Sequence, residues 1–196
     1  MINEKFIYIG LLVFLITSLS YFIETINGKV KPNKVTWFIW SLAPLIAFFS
    51  QIKQRVGLES LLTFMMGFVP LLIFLVSFVN KKSYWEIEKR DLICGFLAII
   101  GLILWQITKI GNIAIIFSII SDFLGALPTV IKSYNHPETE ASLIFLGSLI
   151  YALINLLTIK NWNFENYSFS LYIFLLDLVI FIFIRFKLKK LLKKLI

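Results

Sequence analysis

Cysteine, histidine and acidic residues are scarce in this chain, and each scarcity removes a class of function. The 196 residues include one cysteine, Cys94, and one histidine, His136. A lone thiol inside an apolar run rules out a disulfide framework and reads as a buried structural side chain. A single histidine in the polar turn after Lys132 has no second ligand at useful spacing, so neither a metal site nor any cofactor is expected. Charged residues make up 15% of the chain, against about 25% in a soluble domain. Long polar segments are missing as well, which leaves almost no sequence for a water-soluble domain.

What is present is apolar sequence, 59% of all residues with a mean hydropathy of +0.89. The apolar runs show no polar face, which makes lipid the solvent. Crossing about 30 Å of hydrocarbon takes about 20 apolar residues, and a backbone in lipid must satisfy its own hydrogen bonds as a helix. Seven runs meet that description: Phe6–Ile26, Val35–Gln51, Leu61–Val79, Leu92–Thr108, Ile113–Ile131, Ala141–Ile159 and Phe169–Phe186. The first could be taken for a signal-peptide core with Ser18-x-Ser20 as its cleavage site. Little positive charge precedes it, and serine stands where alanine is preferred, so it is read as a retained span.

The charge of +8 invites a nucleic-acid reading, but its placement points to orientation in a bilayer. With seven spans, the N-terminus and alternate loops share one side with only Lys5, Lys53, Arg55, Lys109 and Lys160. The other 14 of the 19 basic residues lie opposite, which puts the N-terminus outside and the C-terminus in the cytoplasm of a plasma-membrane protein. From Arg185 onward, Leu188, Leu191, Leu192, Leu195 and Ile196 recur at helical spacing between lysines. That is an amphipathic helix suited to an anionic leaflet. Trp37, Trp105 and Trp162 near span ends read as interfacial aromatics.

Within this frame, two aspartates stand out. Asp122 and Asp177 each lie about eight or nine residues from the ends of their spans, near the midplane. An ionised carboxylate there costs about 2.5–3.5 kcal/mol on insertion scales, so both should face protein or water. Gly125 thins the helix beside Asp122, and Pro128 interrupts its backbone ladder one and a half turns on. Lys132 follows where the run leaves oil, and a turn through Pro137 leads to Ser142 in the next span. A weaker copy of that turn stands about 105 residues earlier: Lys31, Pro32 and Asn33, with Thr36 placed to begin the second helix and Trp37 just after it. Trp40 shares a face with Trp37, and Asn155 lies near the outer end of the sixth run, so Trp40 and Asn155 are candidate lining residues. Pro44 and Pro70 sit inside their spans as kinks that can serve as hinges, as does Pro128.

The similar turns divide the chain into two three-helix repeats, at 1–80 and 111–186. A charged connection and linker helix occupy 81–110, and the basic tail 187–196. This all-α plan of three, one and three helices resembles the PQ-loop superfamily, which includes the SWEET and SemiSWEET sugar transporters and proton-coupled lysosomal amino-acid exporters. Pro128-Thr129 occupies the place of that family's Pro-Gln pair, followed by Lys132 and Ser142. In the first half no proline stands at the matching depth of helix 1, where Phe22 or Ile23 is found. The stretch Lys31 to Trp40 is instead similar to uncharacterised bacterial members of this type. Helices 3 and 7 lack the asparagine that sugar-binding members carry, so a sugar is not the expected solute.

The resemblance implies a small-solute transporter working by alternating access, with proton coupling and an oligomer both compatible with it. Asp122 and Asp177 would hold a cationic group or a proton. The alternative of a different class is a scaffold or sensor that keeps the fold without transport, and a dry seam between the halves would favour it. An aspartyl intramembrane protease would need a Gly-x-Gly-Asp signature, yet the flanks read Ile-Ser-Asp122-Phe and Leu-Leu-Asp177-Leu. No enzymatic activity is expected.

Overall fold

The computed structural model describes residues 2–53, 58–108 and 111–195, all of them in helices, turns or irregular connections. Arg55, Lys109 and Ile196, which entered the charge and tail arguments, lie outside the described residues. The helices are α1 (Phe6–Ile26), α2 (Lys34–Lys53), α3 (Leu58–Val76), α4 (Lys89–Ile107), α5 (Gly111–Asn135), α6 (Ser142–Thr158), α7 (Phe164–Phe186) and α8 (Leu188–Leu195). Among the described residues, four helices are long and apolar enough to cross a membrane: α1, α4, α5 from Ile115 and α7 from Asn166. The apolar parts of α2, α3 and α6 are shorter. Ile9, Leu12, Ile16 and Leu19 on α1, and Leu92, Ile93 and Phe96 on α4, face outward. Apolar surface of that extent suits lipid better than water.

Helix ends follow their capping residues. Gly28 ends α1 with φ +72, and a Cβ there would lie 2.7 Å from Lys82 Cβ, so glycine is required on both counts. Asn33 starts α2, its Oδ1 accepting from Val35 N–H at 3.0 Å and Thr36 N–H at 3.3 Å. The expectation that Thr36 begins this helix is therefore corrected: Thr36 lies within it, fully buried. Asn163 caps α7 through Asn166 N–H at 3.0 Å, which moves the start of that helix from Phe169 to Phe164. α5 runs on to Asn135, past the Ile131 boundary read from the sequence.

Packing is chiefly between α1 and α6, α2 and α3, α4 and α5, and α6 and α7, with lesser contacts of α5 on α7, α2 on α5 and α1 on α3. Small residues permit the close approaches. A Cβ on Gly67 would meet Leu45 N at 2.9 Å, and one on Gly125 would meet Ile39 Cγ2 at 2.5 Å. Ser121 ties α5 to α4 by donating to the Ala98 carbonyl at 2.6 Å. Cys94 is buried on α4.

Candidate functional site

Two polar features interrupt this apolar bundle, one inside it and one at the end where the paired turns lie. The interior feature is a cavity of about 290 Å³ lined by α1, α2, α3, α5, α6 and α7, with nothing from α4. Asp122, Asp177, Trp40 and Asn155 all line it, as do Pro44 and Pro70. Asp122 is half-buried and accepts a hydrogen bond from the Tyr172 hydroxyl at 2.8 Å. Asp177 is 5% exposed, and its Oδ2 is buried without a hydrogen-bond partner among the described residues. Ser148 lines the same cavity. Trp40 stands next to Asp122, yet its indole N–H makes no hydrogen bond of good geometry. The wall between these groups is aromatic, with Trp40 edge-on to Trp37 at 5.2 Å and to Phe145 at 6.4 Å.

The second feature is built from the two turns. Lys132, read as leaving the oil, is 2% exposed and forms a 2.6 Å ion pair with Glu140 Oε1. The Tyr21 hydroxyl donates to Glu140 Oε2 at 2.6 Å. Lys132 also donates to the Lys31 carbonyl, and Lys31 N–H donates to the Thr139 carbonyl at 2.8 Å. The Lys132 ammonium lies 4.8 Å from the Trp85 ring centre. Thr129 donates to Thr36 at 3.0 Å, so the residue beside Pro128 reaches the first turn. Pro32, Pro128 and Pro137 are buried among these groups, whereas Ser142 is half-buried at the start of α6. Pro128 does not line the cavity. Trp37 is 3% exposed and packs on Tyr21 at 5.0 Å, so it belongs to the core and not to an interface. Trp162, at 60% exposed, does lie at the surface.

Sequence reasoning missed Tyr172, Glu140, Tyr21 and Asp91. Asp91 is 2% exposed and takes a 2.9 Å hydrogen bond from Asn33 Nδ2. Asn33→Ala is therefore expected to cost about 2 kcal/mol, roughly one for the lost cap and one for the lost hydrogen bond to Asp91. Asp91 keeps the Glu88 N–H at 3.3 Å. Thermal melting of the purified chain measures it, and a midpoint unchanged from the parent would contradict this role. In the tail, Lys189 donates to Asn135 Oδ1 at 2.6 Å and Lys190 lies 3.9 Å from Glu138. α8 thus rests on the second turn, with Leu191 and Leu192 exposed. Among the described residues no three histidine, cysteine, aspartate or glutamate side chains are grouped as metal ligands would be. Comparisons of the chain with family models, curated proteins and solved structures find no match.

Proposed function

We propose that this chain is a seven-span membrane protein of PQ-loop type, made of two parallel three-helix repeats joined by α4, and that it carries a small solute by alternating access. The observation that carries this reading is the cavity. Two acidic side chains picked out by their depth in apolar runs, together with the candidate lining indole and amide, line one cavity with two helix prolines. A scaffold without cargo has no need of a hollow lined by carboxylates, given the cost of placing them there.

The pairing of helices supports the repeat. Exchange α1 with α5, α2 with α6 and α3 with α7, and the pattern maps onto itself. α2 packs on α3 as α6 does on α7, α1 on α3 as α5 on α7, and α1 on α6 as α5 on α2. α4 has no counterpart in this scheme and packs mainly on α5. Depth agrees too. Ten residues of helix separate Asp122 from Lys132, a rise of about 15 Å, or half the hydrocarbon thickness. With Lys132 and the turns at the cytoplasmic interface, Asp122 sits at the midplane.

The turns then form the inner closure of the cavity, while Asn155, Phe169 and Ser170 mark its outer end. Rocking at Pro44, Pro70 and Pro128 would exchange the two openings. The lysines and exposed leucines of α8 would hold the inner face on anionic lipid.

Vesicles containing the purified chain under an imposed pH gradient are expected to dissipate it when a transported solute from a panel of amines, amino acids and sugars is added. Asp122→Asn should slow that flux at least tenfold, about 1.4 kcal/mol in the transport step, with its melting midpoint near the parent's. Equal fluxes from parent and Asp122→Asn for every solute would reject the carrier.

A further inference from the structure

The cavity's lining also constrains what it binds. Among the described residues no lysine, arginine or histidine lines it, and two aspartates do. Tyr172 supplies one hydrogen bond to Asp122, and Asp177 Oδ2 has none. A carboxylate oxygen left without a donor on a side chain 5% exposed costs about 1–3 kcal/mol or more, and a bound donor removes that cost. The space holds about ten waters' volume at about 30 Å³ each, the lower end of ligand pockets. Phe14, Trp37, Trp40, Phe145, Tyr151 and Phe169 supply a third of its lining residues, all aromatic.

From these features we propose that the cavity takes a small amine cation with a compact apolar body, its ammonium on Asp177 and Asp122 and its body against the aromatic wall. An ammonium supplies an N–H donor for Asp177 Oδ2 and a positive charge to offset the two carboxylates that line the same cavity. Ring faces attract the same charge by about 2 kcal/mol where water is excluded. A carboxylate or phosphate would meet two like charges and no basic partner, at a cost of several kcal/mol. A neutral body of the same size would fill the space but leave the acid oxygen without a strong donor. The selecting element is the pair of aspartates, and the aromatic wall sets the size and the apolar character.

The inference rests on the proposed function only in treating the cavity as a binding site. Three probes of one shape separate the charge classes: 2-phenylethylamine, 2-phenylethanol and 3-phenylpropionate, titrated at neutral pH into the full chain in a neutral detergent. Tryptophan emission is the readout, since Trp37 and Trp40 are both on the wall. The amine is expected to bind saturably and at least tenfold more tightly than the alcohol, with no saturable binding of the acid. Asp177→Asn should weaken the amine at least tenfold and leave the alcohol unchanged, which also removes partition into the micelle as the cause. Equal affinity for amine and alcohol, tighter binding of the acid, or an unchanged amine affinity in Asp177→Asn would each overturn the proposal. Should that variant fail to fold, the parent's ranking of the three probes decides alone. Amine binding without any flux in vesicles would leave this inference standing and remove the carrier. Flux restricted to solutes without an amine would do the reverse.

Discussion

Glu140→Ala is expected to destabilise the chain by about 3–5 kcal/mol, because it removes one partner of a buried ion pair. The side chains of Lys132 and Glu140 are 1% and 0% exposed, so their pairing is dry on both sides. Removing the carboxylate strands an ammonium that no solvent reaches, and it also leaves the Tyr21 hydroxyl without its acceptor. The attraction of such a pair does little more than offset the desolvation of both charges, and without it the buried ammonium keeps only the Lys31 carbonyl and the Trp85 ring. Glu140→Gln keeps an acceptor for Tyr21 and should recover part of the loss. Melting of the purified chain in detergent distinguishes these outcomes, and a Glu140→Ala midpoint equal to the parent's would contradict the pairing. On the proposed carrier reading the same change loosens the inner closure, so solute flux in vesicles should shift as well.

Gly147→Val is expected to cost about 3 kcal/mol, the upper end of overpacking, because α1 and α6 meet at this glycine. A Cβ on Gly147 would overlap Thr17 Oγ1 and lie 2.9 Å from Thr17 Cβ. Only a shift of one helix could make room, and α1 against α6 is among the most extensive contacts in the bundle. Gly147→Ala should show a smaller loss, partly restored by Thr17→Ala, since that removes the hydroxyl and the methyl nearest the clash. A double-mutant cycle with the two losses simply additive would show that the contact is not the cause.

Much of this arrangement is legible in the sequence because charge in oil is costly whatever surrounds it. Asp122 and Asp177 can be singled out from their depth alone, Trp40 from the face it shares with Trp37, and Asn155 from its place near the outer end of its run. All four line the same cavity. Pairing over long separations is what the sequence hides. Lys132 reads as the exit from the bilayer because its partner, Glu140, belongs to a turn whose path the sequence does not specify. Buried by that partner, Lys132 lets α5 continue to Asn135. Thr36 reads as the start of α2 because threonine caps helices, but Asn33 is already placed to do so and to hold Asp91. Trp37 reads as interfacial by position, and only the packing of Tyr21 against it makes it core. Tyr172 carries a weak signal, a hydroxyl on the same helix as Asp177, with nothing to tie it to Asp122.

The reach of the turn contacts bears on how the chain is made. Tyr21 waits for an acceptor 119 residues downstream, and the Lys31 carbonyl for a donor 101 residues downstream. At a synthesis rate of about 5–20 residues per second, that acceptor leaves the ribosome roughly 6–24 s after Tyr21 does. During that interval neither group has its native partner. The contacts that join the two turns are therefore completed only once the second turn has been made.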